Sequence, residues 1–153
     1  MAEGVSAQEI TITRVFDAPR ELVWKAWTEP EQLAHWWGPR GTILASVTMD
    51  VRPGGTFRVT SVSEEGGPGE EGRPEMTVAG VYLEVVEPER LVFEEPAEDA
   101  WHEGAVSVLT LTDLGDGRTE MVVQTTIQTT DELRGAAQAG MASSFDRLAE
   151  HLT

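Results

Sequence analysis

The end of the chain repeats an apolar side chain with the period of an α-helix. Leu133, Ala136, Ala137, Gly140, Met141, Ser144, Phe145, Leu148 and Leu152 share one face, and Arg134, Gln138, Asp146, Arg147 and Glu150 share the other. The spacing predicts a helix over roughly 131–151, about five turns long, with Thr129 and Glu132 as its capping box. The segment before it reads almost entirely as strand. A helix with one apolar face cannot cover a broad sheet unless the sheet curls around it. That mismatch between one helix and many strands restricts the chain more than any other feature.

The strands follow from alternation and turn chemistry. EITITRVF (9–16) alternates and is rich in β-branched residues. In 43–51, Ile43, Ala45, Val47, Met49 and Val51 hold the apolar parity, and Pro53-Gly54-Gly55 turns the chain into TFRVTSVS as a hairpin. MTVAGVYLEVV (76–86) and RLVFEE (90–95) are joined by Glu87-Pro88-Glu89. AVSVLTLT (105–112) and RTEMVVQTTI (118–127) are joined by a glycine-rich turn. The stretch 64–75 combines glutamate with glycine and proline, and is expected to be a mobile, dispensable loop. Residues 1–8 are expected to form a flexible tail, and 9–153 a single domain.

Between the first two strands lies DAPRELVWKAWTEPEQLAHWWGP. Pro19 suits a first helical turn, Asp17 lies near the N-cap, and Leu22, Val23, Ala26 and Trp27 share a face. Thr28 and Glu31 read as a capping box opening a second short helix, which carries Leu33, Trp36 and Trp37 and ends at Gly38-Pro39. Consecutive helical residues point about 100° apart, so only one of the paired tryptophans can face the sheet squarely. Trp37 is expected to anchor the helix in the core, and Trp36 to form part of a pocket rim.

Composition excludes several functions. The 153 residues contain no cysteine, which removes disulfides, thiolate metal sites and cysteine nucleophiles. The formal net charge of −16 opposes phosphate backbones and anionic membranes, so neither nucleic acid nor membrane is an expected partner. The start has neither the basic nor the apolar region of a secretion signal, and a cytoplasmic protein is expected. His35, His102 and His151 show no metal-ligand spacing, and no glycine-rich phosphate loop leads from a strand into a helix. No cofactor or metal is expected.

The order β-α-α-β6-α resembles the helix-grip fold of the START-like superfamily, an α+β architecture in which a curved antiparallel sheet wraps around a long C-terminal helix. Within it, the chain is similar to the family named for the activator of heat-shock protein 90 ATPase (its homologue-like group). The segments that carry the resemblance are APRELVWKAWTEPEQLAHWWGP (18–39), DVRPGGTFRV (50–59), GVYLEVVEPERLVFEE (80–95) and GMASSFDRLAEHL (140–152). The eukaryotic activator has a separate N-terminal domain that does much of the chaperone binding. These 153 residues leave no room for one, which puts a chaperone partner in doubt. Single-domain relatives often pair, so the resemblance allows a homodimer.

Ligand sites for apolar molecules are concave and lined by aromatic and aliphatic side chains. An apolar cavity is expected between the C-terminal helix and the sheet, bounded by Trp27, Trp36, Met49, Phe57, Phe93, Met141 and Phe145, with Tyr82 and Trp101 as further contacts. Gly140 removes volume from the inward stripe, and Met141 adapts to varied shapes. The expected partner is a small apolar molecule. The competing readings are a polyketide cyclase or dehydratase-like enzyme, using Asp50, Arg58, Tyr82 or His102, and a protein-interaction module acting on a chaperone.

Overall fold

The computed structural model describes residues 4–38, 41–63, 75–96 and 104–152. The chain runs β1 (Ser6–Phe16), α1 (Arg20–Thr28), α2 (Pro30–Leu33), β2 (Thr42–Met49), β3 (Thr56–Ser63), β4 (Glu75–Val86), β5 (Arg90–Glu95), β6 (Ala105–Asp113), β7 (Thr119–Thr129) and α3 (Asp131–His151). All seven strands form one antiparallel sheet in the order β1-β7-β6-β5-β4-β3-β2. Strands β2 to β7 pair in sequence order, and β1 closes onto β7 in unbroken register from Ser6 opposite Thr129 to Phe16 opposite Thr119. Pairing thus begins three residues before the alternation predicts, because β7 continues through Thr129 and offers partners to Ser6, Ala7 and Gln8. The expected loop 64–75 lies outside the described residues up to 74.

Two irregularities decide which side chains face inward. A register shift between Leu44 and Ser46 places an extra residue in β2. A bulge of this kind reverses the parity of everything on one side of it. Leu44 therefore packs on the core with Val47 and Met49, while Ile43 is 42% exposed and Ala45 faces out, against the simple alternation. A second shift, between Tyr82 and Glu84, turns Leu83 outward and lets Val85 rejoin the core. Gly80 has a specific reason to be glycine. It lies opposite Phe57 in the ladder, and a Cβ there would come within 2.7 Å of the Phe57 ring and collide with the Glu94 carbonyl.

The first two helices differ from expectation at their ends. Asp17 does not cap α1, since Pro19 occupies the N-cap position and no side chain caps it. Leu22 is 48% exposed, and Trp24 is buried beside Val23, Ala26 and Trp27. Thr28 does not open α2. Its hydroxyl donates back to the Trp24 carbonyl at 2.9 Å, and α2 has no side-chain cap. That helix ends at Leu33, and turns then carry the chain to the tryptophan pair.

The long helix covers the predicted residues, but its cap is Thr130, whose hydroxyl accepts from the Leu133 amide at 3.2 Å, while Thr129 is buried as the last residue of β7. Ala137, Ser144, Phe145 and Leu148 are buried beneath it, and Leu133 is 41% exposed. Two arginines expected to face solvent instead clamp the helix at both ends. Arg134 donates to the Glu9 carbonyl of β1 at 2.8 and 3.1 Å. Arg147 donates to the carbonyls of Trp37, Gly38 and Thr42 at 3.3, 2.8 and 3.3 Å. Between the clamps, α3 is held over the concave face of the sheet.

Candidate functional site

The sheet and α3 do not close on each other. A cavity of about 420 Å³ remains between them. Its floor comes from inward positions of six strands: Ile10, Ser61, Val78, Phe93 with Glu95, Ala105 with Ser107, and Val123, Thr125 and Ile127. Its roof is α3, through Ala136, Ala137, Gly140, Met141, Ser144 and Phe145. Its end wall is Trp27, Trp36, Trp37 and Gly38. The space is left because four of the six roof residues, Ala136, Ala137, Gly140 and Ser144, are small. A Cβ on Gly140 would meet nothing within 4 Å.

A second, much smaller space of about 20 Å³ lies on the other side of an aromatic partition. Trp27, Trp37 and Phe93 border both spaces, and Met49, Phe57, Val59, Tyr82, Leu33 and Leu91 complete the smaller one. Trp27 is the hub of this partition, with ring centroids 4.8 Å from Trp36, 6.4 Å from Trp37, 6.3 Å from Phe93 and 6.0 Å from Phe145. Phe57 packs edge-on to Phe93 at 5.6 Å and beside Tyr82 at 5.1 Å.

Of the residues expected to bound one cavity, Trp27, Trp36, Phe93, Met141 and Phe145 line the large space together. Met49, Phe57 and Tyr82 line only the small one, while β3 and β4 reach the large space through Ser61 and Val78 instead. The tryptophan pair is reversed from expectation. Trp36 is fully buried and anchored by its indole N–H to the Ala26 carbonyl at 2.9 Å, whereas Trp37 is half-buried. The anchor has a covalent cause. Residue 30 is proline and has no N–H for the carbonyl four positions back, so the Ala26 oxygen is left for the indole.

Trp101 and His102 lie outside the described residues. Asp50 and Arg58, considered above as acid–base residues, are exposed and border neither space; Asp50 pairs with Arg52 at 2.8 Å. Burial holds the Tyr82 hydroxyl well above the usual phenol range, so it stays protonated.

The cavity's polar groups are few and largely engaged with one another. Ser107 and Thr125, neighbours across β6 and β7, share a buried hydroxyl–hydroxyl bond of 2.9 Å. The Ser144 hydroxyl donates to the Gly140 carbonyl at 3.1 Å. Glu95 is the one charged residue among the described lining residues. The Trp27 indole N–H is buried and has no hydrogen-bond partner among the described residues. Reasoning from the sequence missed Ser61, Ser107 and Thr125. Their signal was parity: Ser107 occupies an inward position in a strand whose other inward residues are apolar, and Thr125 lies on the inward parity between Val123 and Ile127. No cluster of three or more metal-ligating side chains occurs among the described residues, and none of the described helices is long and apolar enough to cross a membrane.

A seven-stranded antiparallel sheet gripping one C-terminal helix, with a cavity between them, defines an α+β domain of the helix-grip, START-like class. Residues 17–153 match the family model described as Activator of Hsp90 ATPase homolog 1-like protein, and the chain belongs to that family. Among solved structures it is similar to a protein from Chromobacterium violaceum, at 27% identity and a TM-score of 0.77, with 94% of this chain and 96% of that one covered. It is also similar in fold to the AHSA1 protein from Silicibacter pomeroyi, at 20% identity and a TM-score of 0.77, over 95% of this chain and 97% of that one. No curated protein matches the chain.

Proposed function

We propose that this chain binds a small, largely apolar molecule between α3 and the sheet, as a holder, carrier or sensor. The observation that carries the reading is the cavity of about 420 Å³ roofed by Gly140 and its small neighbours. Ligand sites span roughly 300–1,000 Å³ and combine apolar walls with few polar groups. The walls here are aromatic and aliphatic, and of the described side chains considered for acid–base work, Asp50 and Arg58 are exposed and Tyr82 lines only the smaller space. That favours binding over a cyclase or dehydratase reaction.

A bound molecule stabilises the folded state by mass action, by about 2.7 kcal/mol at a hundredfold excess over its dissociation constant. Native mass spectrometry of the freshly purified protein, followed by a thermal-shift screen of neutral hydrophobic compounds, tests the reading. A copurified apolar molecule or a saturable rise in melting temperature is expected. If nothing copurifies and no compound in a broad apolar set shifts the melting temperature, the reading fails.

A further inference from the structure

We infer that the molecule held in the cavity carries one neutral oxygen acceptor, a carbonyl in the first instance, and that the indole N–H of Trp27 is the group that receives it. The inference rests on the binding reading above and goes beyond it by naming the ligand's polar feature and the side chain that reads it.

The argument begins from an imbalance. A buried N–H without a partner costs about 1–3 kcal/mol, so a stably folded protein rarely leaves one. Trp27 is 4% exposed, and its Nε1 has no partner among the described residues. Its neighbour Trp36 is equally buried, yet has the Ala26 carbonyl at 2.9 Å. The backbone of α1 and α2 thus supplies an acceptor to one indole and not to the other. Trp27 borders both of the spaces described above; its Nε1 has less than 1 Å² of exposed surface, so the ring must tilt for an acceptor in either space to reach it. The smaller, at about 20 Å³, has room for a single water, while the larger has room for a ligand.

The other cavity groups narrow the chemistry. Ser107 and Thr125 bond to each other, and Ser144 to its own helix. An indole N–H only donates, so the ligand must bring an acceptor. No lysine or arginine is among the described lining residues, Glu95 is among them, and the chain carries a net charge of −16. An anionic acceptor such as a carboxylate would enter unpaired against that charge, at a high desolvation cost. A ketone, ester or amide oxygen meets the N–H without it.

The test compares matched probes, 9-fluorenone with fluorene and benzophenone with diphenylmethane, by calorimetry on wild type and Trp27→Phe. Phenylalanine keeps an aromatic ring and removes the donor. The substitution should weaken both ketones about tenfold and both hydrocarbons less than about twofold, since only the ketones lose a hydrogen bond. On wild type alone, the assigned indole proton of Trp27 should move downfield with ketone and not with hydrocarbon, a readout that stands even if the variant does not fold. Equal weakening of ketone and hydrocarbon, or a Trp27 indole proton that ignores the ketone, overturns the inference while leaving cavity binding intact. If neither member of either pair binds wild type, this inference fails, and the cavity reading is decided separately by the broad screen described above.

Discussion

Trp27 and Trp36 stand edge to face with their ring centroids 4.8 Å apart, yet of the two only Trp36 has a partner for its indole N–H among the described residues. The two rings are equally buried, so substitution by phenylalanine separates the contribution of the hydrogen bond from that of ring volume. Trp36→Phe leaves the Ala26 carbonyl unpaired beside Pro30 and should cost about 1–3 kcal/mol more than Trp27→Phe in the ligand-free protein. Urea unfolding of both variants checks this. Equal losses would show that the Trp36 bond contributes nothing net.

Gly140→Leu should fill the space beneath α3. A Cβ at that position meets nothing within 4 Å, and φ is not in the left-handed region, so the helix tolerates a side chain there. Replacing glycine inside a helix also gains roughly 0.5–1 kcal/mol of helix propensity. The variant should remain folded with an unchanged or raised melting temperature, and should lose the ligand-induced shift seen in wild type. A variant that still responds to ligand like wild type would place the binding site elsewhere.

Phe145→Ala should destabilise the fold by about 3–5 kcal/mol, the usual cost of removing a buried phenylalanine. Phe145 is 3% exposed and its ring stands 6.0 Å from Trp27 and 6.2 Å from Trp36, so its removal undoes the end wall as well as enlarging the cavity. The measurement is the denaturation midpoint at constant slope. A loss below ~1 kcal/mol would mean that the ring packs mainly against empty or wet space.

His151 links α3 to the turn after α2. Its ring stacks on His35 with centroids 4.7 Å apart, and its Nε2 lies 2.6 Å from Gln32 Oε1. Burial first, and then the His35 imidazole, hold its pKa below the ordinary histidine value of 6.5. A proton therefore binds more tightly to the unfolded chain than to the folded one. The neutral ring's contribution to stability is present above 6.5 and is lost as pH falls from there through the lowered folded value. His35→Ala should raise the His151 pKa, measured by NMR titration. His151→Gln should flatten the fall in stability between about pH 7 and about pH 5 relative to wild type. A His151 that titrates at or above the ordinary value would contradict both expectations.

Much of this protein is local in origin and was legible in its residues. The 3.6-residue stripe from Ala137 to Leu148 determines a helix wherever it packs, and the alternation of β6 and β7 determines strands with one inward face. One helix against many strands requires a curled sheet. The involvement of Trp27, Trp36, Phe93, Met141 and Phe145 in one space follows from large apolar side chains on the inward parity of elements that must meet.

What the tertiary structure alone decided concerns sums over several elements. The register shifts near Ala45 and Leu83 depend on how neighbouring strands pair, and each reverses which residues face in. The exchange of roles between Trp36 and Trp37 depends on an acceptor, the Ala26 carbonyl, that is freed by Pro30 and reached only once the chain has turned back after α2. Arg134 and Arg147 read as solvent-facing until the Glu9, Trp37, Gly38 and Thr42 carbonyls come within reach. The partition that assigns Met49, Phe57 and Tyr82 to a separate space is of the same kind. Periodicity along a chain specifies which face of each element is apolar. The volume left between the faces, and the partners left for their polar atoms, exist only after every element has been placed.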